Sequence, residues 1–145
     1  MSMKRCFLFG HRDAPDVILK SIIEGIEWSI ANKGIGEFIV GQYGNFDALA
    51  RKAVEMVKKR YPNIRLVLLL PYLKSFEELD RAAYDELLYP EGMETVPPRY
   101  AIARANRYAL MHSDMLIVYV KHSYGNAASL FAMAERKGLP VYRIT

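Results

Sequence analysis

The stretch from Glu37 to Ala50, Glu-Phe-Ile-Val-Gly-Gln-Tyr-Gly-Asn-Phe-Asp-Ala-Leu-Ala, limits what this chain can fold into more than any other. Phe38-Ile39-Val40 is a short apolar run with the composition of a strand buried on both faces. Gly41 and Gly44 then open a loop. From Asn45 or Phe46 the apolar residues recur at helical spacing, with Leu49, Ala50, Ala53, Val54 and Val57 on one side. Strand, glycine loop and helix start, in that order, aim free backbone N–H groups at one point. The helix dipole adds positive potential there, which suits a phosphate or a carboxylate. The same residues also satisfy a plain tight turn in which Asn45 or Asp47 caps a helix and no ligand is needed.

The rest of the chain repeats this alternation. Lys4 to Phe9 reads as a strand ending at Gly10. A helix follows Asp13-Ala14-Pro15-Asp16, with proline in a tolerated first-turn place, and Ile18, Ile22, Ile26 and Ile30 form its apolar stripe. Asn32-Lys33-Gly34 stops that helix, and Trp28 reads as packing. The helix after Gly44 ends at Tyr61-Pro62-Asn63, and Ile64 to Leu70 is a third strand, closed by Pro71-Tyr72. Periodicity favours a helix over Phe76 to Leu88, yet Tyr84 to Tyr89 also fits a short edge strand. Pro90, Gly92, Pro97 and Pro98 make the next stretch long enough for a lid. A helix from Pro98 or Arg99 to about Met111, a strand over Asp114 to Val120, a helix over Ala127 to Lys137 and a strand over Val141 to Ile144 complete the chain. The expected fold is α/β: a three-layer, doubly wound, mostly parallel sheet of five to six strands with helices on both faces.

At 145 residues the chain reads as a single domain, 1–145, able to bury a real core. Hydrophobic residues at 52% and charged ones at 25% exclude a disordered chain. No apolar run approaches the ~20 residues of a membrane span, and no signal peptide is visible, so no membrane partner is expected. One cysteine, Cys6, cannot form an internal disulfide. It reads as a small core residue in a protein of the reducing cytoplasm. The net charge of +4 permits anionic ligands without establishing nucleic-acid binding, and an apolar helix face left over from core packing would serve a homo-oligomer.

In an open parallel sheet, ligands gather beyond the carboxyl ends of the strands where strand order reverses. If the first strand lies between the second and the Asp114 strand, three loops meet there: Gly10 to Asp13, Gly41 to Asn45 and Lys121 to Asn126. They form a cradle for a phosphate-bearing small molecule, with Arg12 as a bidentate clamp and Pro71-Tyr72 as an aromatic wall. Arg12 alternatively pairs with Asp13 or Asp16. Asp47 is the carboxylate placed for general acid–base work or for a ribose hydroxyl, and equally for the first turn of a helix. Arg104 and Arg107 share a helix face and are able to meet an anion together. Asp114 opens its strand at the far end of the sheet and reads as structural. His11 and His122 follow neighbouring strands and should approach one another, but without Cys or Glu partners no metal site is expected. His112 has no companion. Ser2, Ser75, Ser123 and Ser129 lack a nucleophile context, so acyl transfer has no support.

Three groups of residues resemble the YpsA-like branch of the SLOG superfamily. They are Phe9-Gly10-His11-Arg12-Asp13, Gly41 through Gly44-Asn45-Phe46-Asp47-Ala48-Leu49-Ala50, and Tyr61-Pro62-Asn63-Ile64 with Pro71-Tyr72. Tyr84 to Pro90, Arg104-Ala105-Asn106-Arg107-Tyr108 and Ser113 to Ile117 resemble the same branch, so the likeness covers nearly the whole chain. It implies a Rossmann-like fold, a nucleotide or nucleotide-derived ligand at the strand-end loops, and a strand over Tyr84 to Tyr89. Relatives in the wider superfamily are the LOG phosphoribohydrolases and the DNA-uptake protein DprA. LOG enzymes carry a Pro-Gly-Gly-x-Gly-Thr loop; here Ser123-Tyr124-Gly125-Asn126-Ala127-Ala128 keeps only Gly125 of it. Nucleoside deoxyribosyltransferases have a similar last βαβ unit with a nucleophilic glutamate, where this chain has Leu130, and Glu135 lies on another helix face. Cleavage of an N-glycosidic bond needs a carboxylate at the oxocarbenium-like centre, so that reaction lacks its usual residue here.

The expected function is binding of a nucleotide-like small molecule, as a sensor or regulatory module, with no separate cofactor and no metal. The ligand-binding residues expected are Gly10, His11, Arg12, Gly41, Gly44, Asn45, Tyr72, Arg107, Gly125 and Asn126. The alternatives are a nucleotide N-glycosidase using Asp47 as acid–base, and single-stranded nucleic-acid binding through Arg99, Arg104 and Arg107.

Overall fold

The computed structural model describes residues 3–73 and 81–145 of the chain. Ser2, Ser75 and the first part of the Phe76 to Leu88 stretch lie outside them. In chain order the elements are β1 (Lys4–Gly10), α1 (Leu19–Lys33), β2 (Ile35–Val40), α2 (Asn45–Lys58), β3 (Arg65–Leu69), β4 (Glu86–Leu88), α3 (Pro98–Met111), β5 (Met115–Tyr119), α4 (Asn126–Lys137) and β6 (Val141–Arg143). The helix start expected at Pro15 begins as a 3-10 turn over Asp16–Ile18, and α-helical geometry sets in at Leu19. Among the described residues no helix is long and apolar enough to cross a membrane.

Among the described residues six strands form one sheet in the order β4-β3-β2-β1-β5-β6, and every pairing is parallel. Because strand side chains alternate, each strand divides its apolar residues between two cores. Cys6, Leu8, Phe38, Val40, Leu66, Leu68 and Ile117 point to the side covered by α1 and α2, which contribute Ile22, Ile26, Ala50 and Val54. Phe7, Phe9, Ile39, Val67, Leu116 and Val118 point to the side covered by α3 and α4, which contribute Ala105, Ala109, Leu130 and Ala134. Each fully buried Leu, Ile or Phe contributes about 1.5–3 kcal/mol, so the alternation fixes which side each helix must take. Burial pushes the Cys6 thiol pKa up, as fits an inert core residue.

The stretch at Tyr84 to Tyr89 is a strand where it is regular. Asp85 fastens it to β3: its N–H donates to the Leu66 carbonyl at 2.9 Å and its carboxylate accepts the Leu66 N–H at 2.8 Å while pairing with Lys58. Leu87 and Leu88 then fall into opposite cores, a period of two that no helix provides. At the amino ends of the strands, buried Glu37 takes Arg5 at 2.9 Å and Arg65 at 3.3 Å, and Asp114 accepts the Arg5 N–H at 2.8 Å. Asp114 is thus structural, as its place at the start of a strand implied.

Candidate ligand-binding site

Strand order reverses at β1. The chain leaves it through α1 to β2 on one side and returns through α3 to β5 on the other. Such a reversal leaves a crevice beyond the carboxyl ends, since the helices that follow the two strands lie on opposite faces. Here the crevice is a cavity of about 290 Å³. Gly10, His11, Arg12 and Asp13 line it from the β1 loop, Gly41, Tyr43 and Asp47 from the β2 loop and α2, and His122 to Ala127 in part from the β5 loop and α4. The three loops expected to meet do meet.

His11 is the joint between two of them. Its ring is buried, and its Nε2 accepts the backbone N–H of Lys121 at 2.8 Å and of His122 at 2.9 Å. A ring nitrogen that receives two N–H donors carries no proton, so the imidazole is neutral with its hydrogen on Nδ1. Burial and then the His122 ring, 4.4 Å away between centroids, hold its pKa below the ordinary histidine value, against the opposing pull of Asp13. The two histidines expected to approach each other do so. His11 therefore consumes two amides of the third loop instead of presenting its own donors to a guest.

The two helices that open on the crevice start alike. Tyr43-Gly44-Asn45 precedes and begins α2, and Tyr124-Gly125-Asn126 precedes and begins α4. Gly44 has φ 101° and ψ 172°, and Gly125 has φ 92° and ψ 173°, a region open essentially to glycine alone. Among the described residues neither helix has a side-chain cap. Their surroundings differ. At α2 the Asn45 N–H donates to the Arg12 carbonyl at 2.9 Å, and the Asn45 side-chain amide donates to the Ala14 carbonyl at 2.6 Å and to Asp16 at 2.8 Å. A Cβ on Gly44 would lie 2.8 Å from the Arg12 Cα, so that glycine allows the two loops to touch. At α4 a Cβ on Gly125 would meet nothing within 4 Å, and Asn126 is exposed.

The first turns differ in charge as well. Asp47 sits in the first turn of α2, accepting the Tyr43 N–H at 2.9 Å; its counterpart in α4 is Ala128. Burial pushes the Asp47 carboxyl up to about 6, against the lowering effects of the Tyr43 N–H and the Arg12 guanidinium. A carboxylate already occupies the positive end of α2. The first turn of α4 carries no acidic residue of its own.

Of the residues singled out in the sequence, Gly10, His11, Arg12, Gly41, Asp47, Gly125 and Asn126 come together on the cavity. Gly10 earns its place by packing: a Cβ there would lie 2.6 Å from the Phe46 ring of α2. Arg12 is exposed and, among the described residues, forms an ion pair with neither Asp13 nor Asp16. Four residues lie off the cavity wall. Gly44 and Asn45 join the first two loops, the Tyr72 hydroxyl donates to the Pro98 carbonyl at 2.7 Å, and Arg107 belongs to a separate groove between α3 and α4. Pro71 does line the cavity, and so do Tyr43, Ile102, Asn106 and Tyr124, which the sequence did not single out. The repeated Tyr-Gly-Asn would have pointed to Tyr43 and Tyr124, and the spacing of four between Ile102 and Asn106 puts both on one face of α3. Leu130, where a nucleophile would sit by resemblance, lines the cavity as an apolar residue.

No family model and no curated protein sequence matches the chain. Solved structures do. DNA processing protein A (DprA) from Streptococcus pneumoniae superposes with a TM-score of 0.69 at 16% identity, over 97% of this chain and 50% of that one. DNA processing protein A from Helicobacter pylori, a structure described for its single-stranded DNA binding mode, superposes with a TM-score of 0.63 at 13% identity, over 97% of this chain and 64% of that one. The likeness is one of fold. The chain spans half to two thirds of the length of these neighbours, and the Rossmann-like architecture is what it shares with them.

Proposed function

We propose that this protein binds a nucleotide or nucleotide-derived small molecule at the carboxyl ends of β1, β2 and β5, as a sensor or regulatory module of the YpsA-like branch of the SLOG superfamily. One observation carries the reading: the start of α4, without a side-chain cap or a first-turn acid among the described residues, opens on the same cavity as the Arg12 guanidinium, which forms no ion pair among them. Helix amides and an arginine fork together recognise a phosphate. Tyr124, 70% exposed and stacked on His122, offers a ring face to a base or sugar. Asp47, with its carboxyl near 6, is the group that would serve as acid–base if the bound nucleotide is also cleaved at its N-glycosidic bond.

A thermal-shift series with nucleoside mono-, di- and triphosphates tests the reading. A ligand at a hundred times its Kd stabilises by about 2.7 kcal/mol. Arg12→Ala should abolish that shift, and so should Ala128→Asp, which places on α4 the carboxylate that α2 already carries. The second reading is single-stranded nucleic-acid binding, favoured by the two DprA folds and by Arg99, Arg104 and Arg107 exposed on α3. Oligonucleotide binding with a steep salt dependence, and no response to any nucleotide, would put it first.

A further inference from the structure

A second groove lies between α3 and α4. It holds about 330 Å³ and meets the first cavity at Asn106, Asn126 and Leu130, which line both. Its walls are two facing stripes at helical spacing: Tyr100, Ala103, Arg104 and Arg107 on α3, and Asn126, Ser129, Leu130 and Met133 on α4. Two helices packed on one sheet ordinarily close such a seam with apolar side chains. This seam is left open and carries an aromatic ring, two guanidinium groups and hydrogen-bonding amides. Arg104 and Arg107 are exposed, and neither forms an ion pair among the described residues.

We infer that the two hollows are subsites of one ligand, a molecule of two phosphate-linked nucleoside units. The first unit's phosphate is held at the start of α4 with Arg12, and the second unit runs past Asn106 and Asn126 into the α3–α4 groove. The inference deepens the nucleotide reading above and rests on it. Size and charge favour this occupant. Ligand sites of ordinary size hold about 300–1,000 Å³, so each hollow alone stands at the bottom of that range while the two together fall well inside it. A planar base finds the Tyr100 ring and the Met133 thioether, and the linking phosphate finds Arg104 or Arg107, cations without an ion pair among the described residues. An uncharged or purely apolar guest would leave both guanidinium groups unanswered.

The test is calorimetry on the full chain with the four nucleoside 5′-monophosphates, and with their 5′-phosphorylated homodinucleotides and pyrophosphate-linked dinucleotides. At least one two-unit ligand should bind ten times more tightly than its mononucleotide. In the double variant Arg104→Ala/Arg107→Ala that gain should vanish while mononucleotide affinity holds. Mononucleotide binding with no gain from a second unit, or a double variant that weakens both ligands equally, overturns the two-subsite inference and leaves the nucleotide reading standing. Binding of no ligand in the panel overturns both. An affinity that keeps climbing with each nucleotide added beyond two assigns the groove to a strand and overturns the two-unit ligand.

Discussion

The starts of α2 and α4 use one three-residue sequence and one backbone conformation for opposite ends. At α2, Asn45 bonds the Ala14 carbonyl and Asp16, Gly44 lies against Arg12, and Asp47 accepts a backbone N–H from the preceding loop. At α4, the matching Asn126 is exposed, a Cβ on the matching glycine would meet nothing within 4 Å, and alanine replaces the acid. The local geometry is the same and the partners decide the outcome. The β1 loop runs against α2 and crowds its start, whereas it meets the β5 loop through His11, which accepts the Lys121 and His122 N–H groups, and a Cβ on Gly125 at the start of α4 would meet nothing within 4 Å. A glycine loop before a helix therefore creates the potential for anion binding, and the neighbouring loop determines whether the protein itself uses it.

Substituting the two glycines is the most forceful way to break this comparison. Gly44→Ala adds backbone strain of about 1–3 kcal/mol and a clash with main chain that cannot swing away, about 4 kcal/mol in all. Gly125→Ala brings the strain without the clash and should cost about 2 kcal/mol. Denaturant titration of both variants measures the difference. Equal losses would mean that the two starts are equally crowded.

Much of this architecture could be read from the chain. Phe38-Ile39-Val40, Ile64 to Leu70 and Asp114 to Val120 are apolar on both faces because parallel strands between helix layers must be, and their order with the helices left few arrangements of the sheet. The crevice followed from the reversal at β1. What escaped was the assignment of particular groups. Asn45 and Tyr72 have the chemistry of ligand contacts but spend it on the Ala14 and Pro98 carbonyls. Those partners are far away in sequence, and spacing along one chain says nothing about them. Asn106 shows the reverse case: a mid-helix residue to which no binding role was assigned, carried onto the cavity wall by the packing of α3.

Asp47 sharpens the contrast through pH. Its carboxyl titrates at about 6 in the folded chain and near 3.8 when freely solvated. Between those values the folded state keeps a proton that the unfolded chain has released, so this group's contribution to stability falls as pH rises through the window. Above pH 6 the cost is fully expressed, about 2 kcal/mol once partial solvent screening is allowed for. Asp47→Asn keeps an acceptor for the Tyr43 N–H. Its stability relative to wild type should be unchanged below about pH 4 and should climb to that plateau above 6. His11, with its pKa lowered, loses stability as pH falls below 6.5 in both proteins, so it cancels from the difference. A flat difference across the range would show that Asp47 is solvated as an ordinary surface acid, and the two helix starts would then differ in charge alone.

The asparagines offer the smallest effect and the most discriminating one. Asn45→Ala removes two hydrogen bonds that tie the first loop to the second, and it should cost about 1–2 kcal/mol in stability. Asn126→Ala removes an exposed side chain and should change stability by less than about 0.5 kcal/mol. Ligand affinity should divide the other way. Asn126 stands where the cavity meets the α3–α4 groove, so its loss should weaken nucleotide binding roughly tenfold, the scale of one hydrogen bond to a charged group. Loss of Asn45 acts on the ligand only through a loosened Arg12 loop, and its effect on affinity should shrink as the loop is stabilised by lower temperature. A variant pair in which both asparagines cost stability and neither touches affinity would make α4 a second structural joint and would leave the cavity without its anion-binding edge.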